Sequence, residues 1–232
     1  MPLVDLRISG LDVDDAEVAR LQQHLAADEQ ARAQRFRFER DRRRFVVRRG
    51  LLREWLADRL NERPERLCFI VGEWGKPVLR DHPCHFSLSH SGERLMVAIS
   101  DAEVGCDIEH IDDSIDWLPI AEQFLPRGEL DELRTLAPPS ACAAFFRLWA
   151  RMEASLKATG KGLSGATFDT SVPAAWQVSD VDIGLGYAAA IAWAGDNTQL
   201  QLTIPHLGPR LFADRDIDPL LSVSRAPRTW FR

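Results

Sequence analysis

Two blocks of helical periodicity, each followed by short strand-like runs, constrain the fold of this 232-residue chain more than any other feature. Asp14 and Asp15 stand before Val18, Leu21 and Leu25, which recur at helical spacing. A long helix is predicted over residues 41–61, burying Phe45, Leu52, Trp55 and Leu56, with Pro64 at or just past its end. Residues 3–8 read as an opening strand, and residues 67–71, 84–89 and 95–100 as three more, parted by glycine-containing turns. After a polar stretch at 110–116 the order repeats. Helical text covers 117–125, 127–136 and 139–159, the last opened by Pro139 and Ser140 and stopped by Gly160. Strand text returns at 176–178, 187–193 and 200–204. This order predicts an α+β fold divided into residues 1–112 and 113–232. Tyr187-Ala188-Ala189-Ala190-Ile191-Ala192 faintly echoes Leu95-Met96-Val97-Ala98-Ile99, too short a likeness to establish duplication alone.

Composition narrows the functional classes. The chain is 45% hydrophobic and 28% charged, with ample length for a core. No apolar run approaches the roughly 20 residues of a membrane span. Residues 1–20 carry four aspartates, which argues against a secretory leader. Cys68, Cys84, Cys106 and Cys142 are irregularly spaced with no Cys-x-x-Cys, so a cytoplasmic location is expected rather than a disulfide framework or zinc site. Net charge is −6, yet ten arginines between Arg32 and Arg53 face only Glu39 and Asp41, a local balance of +8 that leaves the remainder at −14. Guanidinium forks suit a phosphorylated ligand, and a solvated basic helix face is the structural alternative. The acidic remainder argues against a general nucleic-acid binder.

Chemistry concentrates in a few segments. On a strand, Asp107 and Glu109 of Gly105-Cys106-Asp107-Ile108-Glu109 share one face about 6.6 Å apart, within reach of one hard cation. Trp149, Glu153 and Lys157 stand at i, i+4 and i+8 along one helix face. Gly75-Lys76-Pro77 and Phe86-Ser87-Leu88-Ser89-His90-Ser91-Gly92 complete the set. Each alone has a structural reading: an exposed sheet face, a surface Glu–Lys pair beside a core tryptophan, a solvated turn histidine.

Together, these segments and Trp149-Ala150-Arg151-Met152-Glu153-Ala154-Ser155-Leu156-Lys157-Ala158-Thr159-Gly160-Lys161-Gly162-Leu163 closely resemble the motifs of the 4′-phosphopantetheinyl transferases. The likeness, from about Arg32 to Leu163, is to the longer, monomeric, surfactin-synthetase-activating type that primes nonribosomal peptide and polyketide synthases. It implies two similar α+β halves related by a pseudo-twofold, with the active site in the cleft between them. It implies transfer of the phosphopantetheine arm of coenzyme A to a serine of an apo carrier protein, with release of 3′,5′-ADP. By the family pattern Asp107, Glu109 and Glu153 hold Mg²⁺ against the pyrophosphate, and Glu153, or a water it orients, serves as base. Lys157 neutralises pyrophosphate oxygens. Lys76, Ser89 and His90 touch the nucleotide phosphates, His90 the 3′-phosphate, and Arg32 and Arg44 match basic positions at that end.

Three positions depart from the family. Met152 stands where lysine is usual, and Arg151 beside it points about 100° away around the helix. Glu29 occupies a position that is basic near the 3′-phosphate, and Cys106 replaces the commoner Val or Ile. Two rival readings keep the same carboxylates: a non-catalytic relative that binds coenzyme A or carrier proteins, and a Mg²⁺-dependent nucleotide hydrolase. A serine hydrolase fails because adjacent Ser89 and His90 point to opposite sides of an extended segment. Gly160-Lys161-Gly162 is no P-loop, since it follows a helix and lacks Ser or Thr after the lysine. No carrier docking surface is legible beyond the apolar residues 117–125.

Overall fold

The computed structural model describes residues 3–72, 75–81, 84–160 and 176–195, with the backbone of 199–203. In chain order the elements are β1 (Leu3–Gly10), α1 (Asp15–Gln22), α2 (Ala27–Ala33), α3 (Glu39–Leu60), a 3₁₀ turn (Pro64–Arg66), β2 (Phe69–Val71), β3 (Pro77–Leu79), β4 (His85–Ser91), β5 (Arg94–Ser100) and β6 (Val104–His110). Then follow α4 (Leu118–Phe124), α5 (Arg127–Thr135), α6 (Pro138–Thr159), β7 (Trp176–Asp180), β8 (Tyr187–Ala194) and β9 (Gln199–Thr203). The class is α+β, as the order of periodicities predicts.

Local chemistry sets the boundaries. Asp14 caps α1, its carboxylate accepting from the Glu17 amide at 2.8 Å. Asn61 ends α3 at φ +52 and Gly160 ends α6 at φ +73, both in the left-handed region that C-terminal caps require. Leu25 is buried as expected but lies past the end of α1. Two elements are absent from the expected list. The seven-residue α2 carries Asp28 and Glu29 in its first turn and buries only Glu29 and Ala33, too little for an apolar period to show. The three-residue β3 begins at Pro77, a position a strand tolerates, and pairs with β2.

Two sheets lie between two layers of helix. The first has the order β4-β5-β1-β9 and the second β6-β8-β7, while β2 and β3 form a separate ribbon. Alternation along β5 shows the layering: Leu95, Val97 and Ile99 face Phe45, Leu52, Trp55 and Leu56 of α3, whereas Met96 and Ala98 face the second sheet. Val4, Leu6 and Ile8 of β1 join Val104, Cys106 and Ile108 of β6, with Ala189, Ile191 and Trp193 of β8, in that inter-sheet core.

The sheets exchange strands across the expected division after residue 112. Strand β6 is hydrogen-bonded to β8, Asp107 standing opposite Ala190, and β9 runs parallel to β1, Leu3 opposite Gln199. Nor does the carboxylate segment continue the apolar run as one strand. A polar turn over 101–103, held by the Ala102 amide on Ser100 Oγ at 3.1 Å, ends β5 and sends β6 into the other sheet.

The outer face of β6 is where α6 comes closest. A Cβ built on Gly105 would lie 2.0 Å from the Ala154 carbonyl oxygen and 2.3 Å from the Ala158 nitrogen. Ala150, Ala154 and Ala158 repeat every fourth residue along α6 and pack on Ala190 and Ala192 of β8. Small residues on both surfaces let helix and sheet touch backbone to backbone. Gly105→Ala should therefore cost about 3 kcal/mol or more by chemical denaturation, the upper range for overpacking. Adding Ala154→Gly should not recover it, because the obstructing atoms are main-chain; recovery by that second change would contradict the packing described.

Candidate active site

Strand β4, at the edge of the first sheet, meets β6, at the edge of the second, through side chains rather than a backbone ladder. Ser87, Ser89 and Ser91 project toward β6 at two-residue spacing. Ser87 Oγ accepts from the Cys106 amide at 3.0 Å. Ser89 Oγ donates to Asp107 Oδ1 at 2.7 Å. Ser91 Oγ donates to Glu109 Oε2 and accepts from the His110 amide, both at 3.0 Å. The same alternation turns Phe86 into the α3 core and sets His90 on the face opposite Ser89.

Alternation in β6 places Cys106 and Ile108 in the inter-sheet core and turns Asp107 and Glu109 outward with Gly105, beneath α6. The close approach at Gly105 carries Glu153 and Lys157 over this face. Lys157 Nζ lies 2.5 Å from Asp107 Oδ1 and 3.0 Å from Ser89 Oγ. Burial pulls the Lys157 ammonium down, and the charge and hydrogen bond of Asp107 outweigh it, holding the lysine above its ordinary value. Burial pushes Asp107 up, with Lys157 and Ser89 restraining it. Burial and the nearby Asp107 charge push Glu109 up to about 7, and the same two causes raise Glu153.

This is a group of like charges removed from water with one ammonium among them. Among the described residues, no three His, Cys, Asp or Glu side chains are grouped closely enough to hold a metal ion as they stand. Yet the donors suit one. Asp107 Oδ2 is buried without a hydrogen-bond partner among the described residues, and three carboxylates raised by burial, Glu109 and Glu153 also by the Asp107 charge, are hard oxygen donors that suit a divalent cation.

The basic residues expected at the site divide. Arg44 is held by Asp12, at 2.7 and 2.5 Å, and by the Gly92 carbonyl at 2.9 Å. Lys76 reaches the far end of Gly105, donating to the Val104 carbonyl at 2.9 Å and to the Ala158 carbonyl at 3.4 Å in the last turn of α6. It ties β3 to a helix C-terminus, where a cation is favoured. His90 accepts from Arg48 Nη1 of α3. Arg32 lies over the Phe45 ring, 5.4 Å from its centroid. Glu29 is buried and faces away, accepting from the Ala26 amide at 3.0 Å and from Arg49 and Arg53 at 2.6 Å each.

Met152 is buried and Arg151 makes two 2.6 Å bonds to Asp180 on β7, so Arg151 does not stand in for the missing lysine. Trp149 packs on Phe124 and Phe145. Trp117 stacks on Phe145, and Ala121 and Leu125 are buried, so packing accounts for the apolar character of 117–125. Lys161, Gly162 and Leu163 of the helix motif, and Ile204, lie outside the described residues. The expectation did not single out Gly105, Ser87, Ser91 or Arg48. A glycine inside a strand signals a close backbone approach, and Ser-x-Ser-x-Ser signals one polar strand face. Arg48 had no such signal.

A carboxylate whose folded value is raised binds its proton more tightly in the fold than in the unfolded chain. Its favourable contribution is complete below the ordinary value of 4.5 and disappears as pH rises through about 7 for Glu109. Glu109→Gln should therefore raise the melting temperature of metal-free protein at pH 8 and leave it nearly unchanged at pH 5. Scanning calorimetry at the two pH values checks this, and an equal change at both would contradict it.

Comparison with known proteins agrees with this geometry. A model of the 4′-phosphopantetheinyl transferase superfamily matches residues 103–204, and one of the 4′-phosphopantetheinyl transferase N-terminal region matches residues 13–102. The matches meet in the turn between β5 and β6. The 4′-phosphopantetheinyl transferase psf-1 of Bacillus pumilus is 37% identical over 167 residues, 71% of this chain and 71% of its own length. The 4′-phosphopantetheinyl transferase HetI of Nostoc sp. is 36% identical over 159 residues, 66% of this chain and 67% of its own. The 4′-phosphopantetheinyl transferase gsp of Aneurinibacillus migulanus is 42% identical over 113 residues, 49% of this chain and 46% of its own. With matches of this extent over both parts of the chain, the protein belongs to the 4′-phosphopantetheinyl transferase superfamily.

Proposed function

We propose that the seam between β4 and β6, roofed by α6, is where this transferase moves the 4′-phosphopantetheine arm of coenzyme A to a serine of an apo carrier protein. The observation that carries this reading is the convergence of Asp107, Glu109, Glu153 and Lys157 beside Ser89, with one Asp107 oxygen buried and unpartnered. In the reaction the serine oxygen bonds to the phosphorus next to the pantetheine arm, the bridging P–O bond breaks, and 3′,5′-ADP leaves with the electron pair.

Asp107, Glu109 and Glu153 would hold Mg²⁺, which when bound neutralises charge on pyrophosphate oxygens. Lys157 lies against both Asp107 and Ser89, placed to bind a pyrophosphate oxygen while keeping the carboxylates ionised. Glu153, raised by burial and by Asp107, is a better proton acceptor than a free glutamate and takes the serine proton. A well-placed base contributes roughly 10²–10⁴-fold. Ser89 orients Asp107 and Lys157. His90, Arg32, Arg44 and Lys76 serve the nucleotide phosphates, and Arg44 and Lys76 also hold neighbouring backbone.

The acceptors are peptidyl, acyl or aryl carriers of secondary or primary metabolism. The chain acts as a cytoplasmic monomer. That placement is supported by four free cysteines and, among the described residues, by no helix long and apolar enough to cross a membrane. Incubation with coenzyme A, Mg²⁺ and a panel of apo carriers, followed by mass spectrometry, tests the reading. A phosphopantetheine adduct with stoichiometric 3′,5′-ADP is expected. Release of 3′,5′-ADP without an acceptor would instead indicate a hydrolase, and binding without transfer a non-catalytic relative.

Asp107→Ala should abolish transfer while the far-ultraviolet circular dichroism stays native, and retained activity at limiting Mg²⁺ would remove Asp107 from the cation site. Glu153→Gln should lower kcat by at least about 100-fold with a much smaller change in coenzyme A affinity. Equal losses in both would restrict Glu153 to holding the metal.

A further inference from the structure

The arginine cluster contains one member whose position its own fold does not explain. Of the ten arginines between Arg32 and Arg53, six are paired with carboxylates: Arg40 with Asp41, Arg42 with Glu39, Arg43 with Asp15, Arg44 with Asp12, and Arg49 and Arg53 with Glu29. Arg32, Arg35 and Arg37 are exposed and solvated. Arg48 is half-buried, with no carboxylate partner among the described residues.

Its surroundings are cationic. Burial, then Arg49 and Arg32, pull the Arg48 guanidinium down to about 10. Desolvation, then Arg48 and Lys157, push His90 down to about 4. Arg48 and Arg32 both lie over the Phe45 ring, 5.6 and 5.4 Å from its centroid. Positive charge therefore flanks His90, itself neutral at pH 7, with Lys157 on the side of the carboxylates and Arg48 close to Arg32 on the other. Folding gains little by burying a guanidinium here, and a bound anion would repay it. Arginine suits the place, because its guanidinium stays charged at pH 7 even when burial and neighbouring cations pull it down.

Glu29 completes the picture. It accepts from Arg49 and Arg53 inside the fold and leaves Arg48 without an acid among the described residues. We propose that Arg48, reaching from α3, binds the terminal phosphate monoester of the co-substrate together with His90 and Arg32. This assignment rests on coenzyme A being the donor, as proposed above.

Calorimetric titration of wild type and Arg48→Met with coenzyme A and with 3′-dephospho-coenzyme A tests it. Methionine retains much of the packing on Phe45. Arg48→Met should lose roughly 10- to 100-fold in affinity for coenzyme A, the worth of one hydrogen bond to a charged group. It should lose little for the dephospho compound, so the wild-type preference collapses. Arg48→Lys should recover part of it at pH 7. The ligand-free melting temperature of Arg48→Met should equal or exceed that of wild type, since an unneutralised cation is gone. Equal losses for both ligands, or an intact preference for coenzyme A, would overturn the assignment. If Arg48→Met does not fold, the same ratio measured on Arg48→Lys and Arg48→Gln decides it. Carrier priming by wild type is scored separately: a protein that prefers coenzyme A through Arg48 yet primes no carrier keeps this assignment and loses the transferase reading.

Discussion

The backbone contact between Gly105 and α6 governs the rest of the site. A helix resting on ordinary side chains would ride higher above the sheet. Here hydrogen on one surface and methyl groups on the other let the helix backbone lie directly on β6. Glu153 and Lys157 follow Ala150 and Ala154 around the helix, so their reach to Asp107 depends on that depth. The alanines of β8 extend the same low surface to both sides. Lys76 then fastens the two contacting backbones, donating to carbonyls of Val104 and Ala158, the residues flanking the contact.

The seam beside this contact exchanges backbone pairing for serine hydroxyls, with a chemical consequence. Two strands joined by a regular ladder satisfy each other's polar groups completely. Serine side chains reach instead to the carboxylates of β6 as well as to its amides, so Asp107 and Glu109 are oriented without being neutralised. Burial then raises both carboxyls, and Lys157 with the serine hydroxyls offsets only part of the rise. The site is thereby held in an electrostatically unfavourable state by the two hydrophobic layers around it. Such a site has its strongest remaining interaction available for a bound cation and the phosphate it carries.

Much of this was legible in the sequence wherever periodicity and a boundary residue agreed. Asp14 and Gly160 mark helix ends because capping is local chemistry, and α3 and α6 are long enough to show their apolar period. Alternation put Asp107 and Glu109 on one face of a strand, and helical spacing put Glu153 and Lys157 on one face of a helix. Strand partnership was not legible. That β6 joins β8 and β9 joins β1 depends on contacts between residues about 80 to 200 positions apart, which no local pattern encodes. The short elements α2 and β3 escaped for a different reason, since each buries too few residues to establish a period. The partners of Arg44 and Lys76 within the fold were not legible because a cation's partner is chosen by three-dimensional proximity: Arg44 meets Asp12 and the Gly92 carbonyl, and Lys76 the Val104 and Ala158 carbonyls.

The arginine cluster shows how far charge counting can mislead and how it is repaired. A surplus of +8 over one segment suggests a broad anion-binding face. Yet Asp12, Asp15 and Glu29, all from the preceding segment, fold back against α3 and pair with four of its guanidinium groups, offsetting three of those four charges. Electrostatics here is local: a pair at hydrogen-bond distance cancels most of its field within a Debye length, about 8 Å in physiological salt. The field is least offset at the cations the acids do not reach. On α3 that is Arg48, whose neighbour His90 on β4 stands one residue from the serine that holds Asp107. Charge that was diffuse along the sequence is thus concentrated by folding at one end of the seam, with the carboxylates at the other. The proposed co-substrate, with a pyrophosphate and a separate phosphate monoester, would meet both ends at once.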